Sequence, residues 1–465
     1  MQGSKGERCK WIFQEMYSNM VTKGNNRNIG FLSTRFNGTD GVSLEANKWA
    51  DVLENMGYKC FFFSGKSDKP VKQSRVVPEA FFQHPEIQEL SEIAFDGVRS
   101  PDDESEVVLP HHAAVFHTRP RKTTERIHEL KEFLKDEIYS FVQDFEINLL
   151  IVENALSIPL NIPLGIAITE FIAETGFPTI AHHHDFFWER KRFLVNCVWD
   201  YLNMSFPPNL PSIRHVVINS SAAHQLSLRR GISSLLIPNV MDFDNPPPPP
   251  DDYARDLRRD LGLEPDELLI LQPTRVVQRK GIEHAIELVK RLGLNARLVI
   301  SHSSGDEGYD YERHLRHFAQ MLGVKTFFAR GLIRTEREQT EDGRKTYGLA
   351  DAYLVADLVT YPSELEGFGN AFLEAIYYRR PIVVNNYTIF SIDIKPKGFN
   401  VIQFDGYITE KAVERTREVL QNSEEQRIMV ENNYQLAKRY YSYSVLRRYL
   451  NILMVDLFGQ NPAAG

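Results

Sequence analysis

Short apolar runs that alternate with helix-spaced segments dominate this chain and restrict it to a small set of folds. Asn28 to Ser33, Lys59 to Ser64, Asn148 to Val152, Pro178 to Ala181, Arg214 to Asn219 and Ser234 to Ile237 each read as a buried strand. Between several of them lie segments with apolar residues at helical spacing, such as Ile127, Leu130, Leu134, Ile138 and Phe141. Strand, helix and strand in rotation predict an α/β protein with a parallel, doubly wound sheet. After five prolines, Pro246 to Pro250, the pattern restarts. Strands are expected at 268–271, 296–300, 325–328, 358–360, 381–384 and 401–404. Helices are expected at 282–292, 309–322, 347–355, 372–378 and 412–420, and the tail from 424 to 458 is helical and amphipathic.

The repeat of the pattern divides the chain. At 465 residues it exceeds one ordinary core, and two domains of roughly 200 residues each are expected. The expected limits are a first Rossmann-like domain over 1–242, a proline-rich linker over 243–250, a second Rossmann-like domain over 251–440, and a C-terminal helix over 441–465 that crosses back to the first domain. A run of prolines donates no backbone hydrogen bonds and prefers an extended form, which suits a stiff linker. The polar, proline-bearing region from Ser67 to Pro110 shows no clear pattern.

Composition narrows the function. A net charge of −8 argues against a nucleic-acid-binding surface over the whole molecule, though it allows a local basic pocket. No apolar run approaches the length of a membrane span. Cys9, Cys60 and Cys197 are few and widely spaced, with neither a disulfide framework nor metal-ligand spacing. They fit a reducing cytoplasm, and the polar start from Met1 to Lys10 has no signal-peptide core, so the expected location is cytoplasmic.

Chemistry concentrates in the loops that follow strands. Ser363 to Ala375 joins a strand to a helix through Gly367 and Gly369, with Glu366 before the helix and Glu374 within it. Unpaired N–H groups at such a helix start suit phosphate. The two carboxylates suit hydroxyls, and together they fit a nucleotide sugar. The plainer alternative is an ordinary strand-to-helix connection with solvated glutamates. Arg275 and Lys280 flank another such loop and could clamp a diphosphate, or sit solvated on a polar turn with Arg279. In the first half, Gly38 to Gly41 follows a strand, Glu153 and Asn154 follow another, and His182-His183-His184-Asp185 follows a third. Neighbours on a strand point to opposite faces, so the three histidines cannot all converge on one ion, and no metal site is expected. His182 and His183 are expected in the core, satisfied by backbone carbonyls. His184 is expected to meet a sugar hydroxyl or developing charge.

Taken together, these residues resemble the retaining glycosyltransferases of family 4, which have the GT-B fold. The resemblance runs from about Asn28 to about Tyr440. The family's Glu-x7-Glu signature falls on Glu366 and Glu374, its phosphate motif on Arg275, Lys280 and Gly281, and its junction motif on Pro238 to Asp242. Thr274 replaces a glycine of the phosphate motif, and the junction motif also lacks its glycine. The family's glycine-rich loop resembles Gly38 to Gly41, and its single histidine falls on His184.

The resemblance implies two Rossmann-like domains facing across a cleft, with the donor on the second and the acceptor on the first. It implies a hexose, glucose or mannose, moved with retention from a nucleotide-diphosphate sugar such as UDP-glucose or GDP-mannose to a small polar acceptor. That acceptor would be a sugar, a sugar phosphate, a polyol or a glycerate-type compound. Catalysis would fall to His184, Glu366, Arg275 and Lys280. Donor binding would use Gly41, Arg275, Lys280, Phe368, Gly369, Asn370, Ala371 and Glu374, with Glu366 on the transferred sugar and Glu374 on the ribose. Asp40, Glu153, Asn154, His184 and Asp185 would hold the acceptor. No obligatory cofactor is implied, a non-essential divalent cation is compatible with the scheme, and so is a homodimer. Rival readings are a nucleotide-sugar epimerase or a phosphorylase of the same fold, and an inactive nucleotide-sugar-binding subunit.

Overall fold

The computed structural model describes residues 28–38, 41–96, 118–302, 309–334, 336–339 and 344–458. Asp40, Cys9 and the stretch from Pro101 to Pro110 lie outside the described residues. The chain divides into two compact units, one comprising 1–237 with 447–465, the other 238–446.

In the first unit the strands are β1 (Asn28–Leu32), β2 (Lys59–Ser64), β3 (Ser74–Val76), β4 (Leu149–Glu153), β5 (Thr179–His183), β6 (Ile213–Val217) and β7 (Leu235–Leu236). The helices are α1 (Gly41–Asn55), α2 (Pro85–Ser91), α3 (Arg121–Asp144), α4 (Ile162–Thr175), α5 (Trp199–Ser205) and α6 (Ser220–Arg230). The strands form one sheet in the order β3-β2-β1-β4-β5-β6-β7, and every pairing in it is parallel. The order reverses between β1 and β4, the point at whose carboxyl edge such sheets take ligands.

The sequence accounts for this packing. All five residues of β4 are buried, as expected for a central parallel strand covered on both faces. α4 presents Leu164, Ala167, Ile168, Phe171 and Ile172 to a core shared with Ile138, Phe141 and Val142 of α3. Burying each of the larger side chains stabilises the fold by about 2 kcal/mol. α4 begins where Asn161 Oδ1 accepts from Leu164 N at 3.0 Å, and ends at Gly176 in the left-handed region. Lys131 and Lys135 on α3 pair with Glu170 on α4, fixing the two helices along their polar margin.

In the second unit the strands are β8 (Leu268–Gln272), β9 (Ala296–Ile300), β10 (Thr326–Phe328), β11 (Ile333–Arg334), β12 (Glu338–Gln339), β13 (Lys345–Gly348), β14 (Leu358–Tyr361), β15 (Ile382–Asn385) and β16 (Ile402–Phe404). Its helices are α7 (Asp252–Asp260), α8 (Ile282–Leu292), α9 (Asp310–Leu322), α10 (Leu349–Val355), α11 (Asn370–Tyr377), α12 (Glu410–Gln421) and α13 (Ser423–Tyr441), and the last described helix is α14 (Tyr443–Phe458). The main sheet runs β10-β9-β8-β14-β15-β16, again parallel throughout, with its reversal between β8 and β14. A small sheet, β11-β13-β12, stands apart from it. The five prolines adopt no regular structure and fall within the second unit. From Arg447 onward α14 belongs to the first unit, where Asp456 pairs with Arg214. No helix among the described residues is long and apolar enough to cross a membrane.

Several local expectations change. Tyr347 lies in β13 rather than in a helix, which begins at Leu349. The unpatterned region after Ser67 contains β3 and α2. β5 runs to His183, two residues beyond the expected end, and this has consequences for the histidines.

Candidate functional site

In the second unit, the loops after β8 and β14 meet at the strand-order reversal. The β8 loop ends in a turn over Gln278–Lys280, and Gly281 follows with φ +56°. A Cβ at Gly281 would lie 2.8 Å from the Pro362 carbonyl oxygen, so glycine lets the two loops touch. Glu364 N donates to the Arg279 carbonyl at 3.0 Å. This closeness brings buried Lys280 onto Glu366, and their side chains form a direct ion pair. Arg279 stands 3.8 Å from the other Glu366 oxygen. Burial alone would raise the Glu366 pKa, but the charge and hydrogen bond of Lys280 bring it below the ordinary carboxylate value. Burial lowers that of Lys280, and Glu366 offsets only part of the effect.

Arg275 is exposed at the mouth of the same loop, near enough for its charge to act on Lys280. His302, just past β9, was not foreseen from the sequence. Its pKa is pushed down to about 4 by burial and by the charges of Arg275 and Lys280, so it is neutral in a cationic pocket. Its Nδ1 lies 2.7 Å from Ser301 Oγ. Nothing in the local sequence marks it, because its meaning comes from the neighbouring strand. Thr274, where a glycine was expected, is buried and its Oγ1 accepts from Gln272 Nε2 at 2.7 Å.

The turn into α11 is built around Gly369, at φ +120°. A Cβ there would meet Tyr387 Oη at 2.4 Å, and that hydroxyl donates to the Phe368 carbonyl at 2.8 Å. Phe368 and Ala371 are buried, and Asn370 is held by Asn239 Nδ2 at 2.8 Å. Glu374 lies one turn into α11 and accepts from Tyr353 Oη at 2.8 Å. Burial and the Glu374 charge keep that phenol protonated, hence a donor.

In the first unit, the carboxyl ends of β4 and β5 carry a second cluster. Because β5 continues to His183, alternation sends His182 and His184 to one side and His183 to the other. Glu153 is fully buried. Its carboxylate accepts from His182 Nδ1 at 3.0 Å and from His184 Nε2 at 3.0 Å. Burial would raise the Glu153 pKa, but the two imidazoles bring it down to about 2. His183 Nε2 instead lies 2.9 Å from His215 Nδ1. Thus both core histidines are met by side chains, not by the expected backbone carbonyls. Trp49 stacks on His182 with ring centroids 4.3 Å apart.

Asn154, at φ +59°, ties this edge together. Its Oδ1 accepts from His184 N at 2.9 Å, and its Nδ2 donates to Asp185 Oδ1 at 2.9 Å. Asp185 also accepts from Arg190 Nε at 2.6 Å. Gly41 opens α1 at the end of the loop after β1. The ligand-capable atoms of Glu153, His182 and His184 lie within 4.8 Å of one another. Their N–O separations of 3.0 Å are those of hydrogen bonds, and the cluster is internally satisfied on the carboxylate side.

Residues 254–436 match the model of the group 1 glycosyl transferases. The chain is 32% identical over 435 residues to the mannosylglucosylglycerate synthase of Thermotoga maritima, covering 87% of this chain and 94% of that protein. It is 31% identical over 396 residues to the mannosylglucosylglycerate synthase of Petrotoga mobilis, covering 80% and 86%. Among solved structures, sucrose-phosphate synthase from Thermosynechococcus elongatus superposes with a TM-score of 0.59 at 14% identity, over 93% of this chain and all of that one. The fold is GT-B. The chain belongs to the glycosyltransferase family that includes the mannosylglucosylglycerate synthases.

Proposed function

We propose that this protein is a retaining hexosyltransferase that moves mannose from a nucleotide-diphosphate sugar to a sugar-bearing glycerate. The observation that carries the reading is the buried Lys280–Glu366 ion pair at the β8–β14 reversal, beside the start of α11, with exposed Arg275 near enough for its charge to act on Lys280. A diphosphate needs cations and unpaired N–H groups, and a sugar needs carboxylate acceptors at the next position along. The relatives' names supply the mannose, the glucose and the glycerate.

In this scheme the diphosphate takes up the charge of Arg275 and Lys280, and the backbone N–H groups at Phe368 to Ala371 complete its cradle. Glu374 accepts from the ribose hydroxyls, and Glu366 from the transferred sugar. His184, Asn154 and Asp185 serve the acceptor, and Asp40 of the same expected set lies just before Gly41.

The acceptor hydroxyl oxygen bonds to the anomeric carbon on the face from which the phosphate departs. The bond from that carbon to the phosphate oxygen breaks, and the same phosphate takes the hydroxyl proton. Such a reaction depends on positioning and on neutralising the leaving charge, and one well-placed donor is worth about 3 kcal/mol of barrier. The two cations and the helix start carry charge that a divalent ion would otherwise carry, so a cation would stimulate rather than be required.

The test is nucleotide release from UDP-glucose, GDP-mannose, GDP-glucose and ADP-glucose, with and without glucosylglycerate. Release from a mannosyl donor that rises with the acceptor is expected. Silence with every donor would overturn the reading, and sugar interconversion without an acceptor would replace it with an epimerase.

A further inference from the structure

Glu153 was expected among the acceptor ligands, yet its side chain is fully buried and its oxygens already serve two imidazoles. It is therefore poorly placed to meet a substrate. We propose that Glu153 is a positioning residue for His184: it holds the ring by Nε2 and leaves Nδ1 as the nitrogen that the substrate meets. This rests on the reading of His184 as a substrate contact.

The geometry supports this at each point. Asn154 Oδ1 holds the His184 backbone N–H at 2.9 Å, so the residue is fixed at both main chain and ring. His182, clamped between Trp49 and Glu153, packs against His184 with ring centroids 4.4 Å apart and blocks rotation on that side. His184 Nδ1 has no hydrogen-bond partner among the described residues. A carboxylate that accepts Nε2–H selects one tautomer of the neutral ring, with the lone pair on Nδ1. When the ring takes a second proton, Nδ1–H becomes a donor and Glu153 balances the charge.

The surrounding groups favour that second proton. Burial works against it, but the bond to Glu153, the charges of Glu153, Glu45 on α1 and Asp185 outweigh burial, and the His184 pKa is raised. His182 faces the same carboxylate, but burial brings its own pKa down, so it stays neutral and donates through Nδ1. One carboxylate thus orients two rings and charges one of them.

The test uses the full chain with ¹⁵N-labelled histidine, followed by NMR across pH, with the His184 signals identified by their loss in His184→Gln. In the unaltered protein, neutral His184 should carry its proton on Nε2 and titrate above ordinary histidine. In Glu153→Gln the midpoint should fall and the tautomer should no longer be fixed. Glu153→Asp keeps the charge and should retain most of the upward displacement, which separates orientation from simple misfolding. Nucleoside diphosphate affinity, a property of the second unit, should stay unchanged in both. An unaltered His184 midpoint and tautomer in Glu153→Gln would overturn the proposal. So would a stoichiometric transition metal in the purified protein that Glu153→Gln loses, because Nε2 would then be a metal ligand. These readouts need no turnover, so they hold or fail independently of the transferase reading.

Discussion

Lys280 and Glu366 lie 86 residues apart in the chain and form a buried ion pair where the strand order of the second unit reverses. Removing one partner of such a pair leaves a desolvated charge, which costs roughly 3–5 kcal/mol. Lys280→Met should therefore lower stability by about that amount in urea unfolding. It should also weaken nucleoside diphosphate binding about 100-fold, or ~3 kcal/mol. Adding Glu366→Gln should restore most of the stability and none of the affinity. Recovery of both by the double variant would mean that Lys280 serves the fold alone.

Glu374 tests the ribose role. Its partner Tyr353 already donates one hydrogen bond to it at 2.8 Å, which holds the carboxylate at the edge of α11. Glu374→Ala should weaken nucleoside diphosphate binding roughly 10- to 100-fold by calorimetry, as expected for lost hydrogen bonds to a charged acceptor. A 2′,3′-dideoxy nucleotide should show the same loss with the unaltered protein and little further loss with the variant. Additive losses would place the ribose elsewhere.

The His183–His215 pair predicts acid sensitivity. Burial holds His215 neutral, its pKa pushed down from 6.5 to about 4. Between those values the unfolded chain binds a proton that the folded chain does not. Stability is therefore full above pH 6.5 and is lost as pH falls toward 4, by on the order of 3 kcal/mol for this group. Urea unfolding from pH 7 to pH 4 should show the decline, and His215→Gln should flatten it. An equal slope in both proteins would remove His215 as the cause.

Much of this was legible because parallel strands announce themselves. The runs at 59–64 and 296–300 coincide with β2 and β9, since buried β-branched and aromatic residues bounded by polar turns leave little choice. The site residues were legible as loop chemistry, but their partnerships were not. Lys280 meets Glu366 because β8 and β14 are neighbours, and sheet order is not written in either loop. The alternation of the three histidines was legible, but the contacts of His182 and His184 with Glu153 were not, because these depend on β4 lying beside β5. Helix α7 was missed because only Ala254 and Leu257 of its nine residues are buried, so the apolar pattern is thin. Strands β11 and β12 are two residues each, too short to show any period.

The stereochemistry of transfer tests the central claim most directly. A mannosyl nucleotide carrying an α-linked phosphate is incubated with glucosylglycerate, and the product is read by its one-bond carbon–proton coupling at the new anomeric centre. The account predicts an α-linked mannose, with one nucleoside diphosphate released for each one formed. A β-linked product, or release that does not depend on the acceptor, would contradict it.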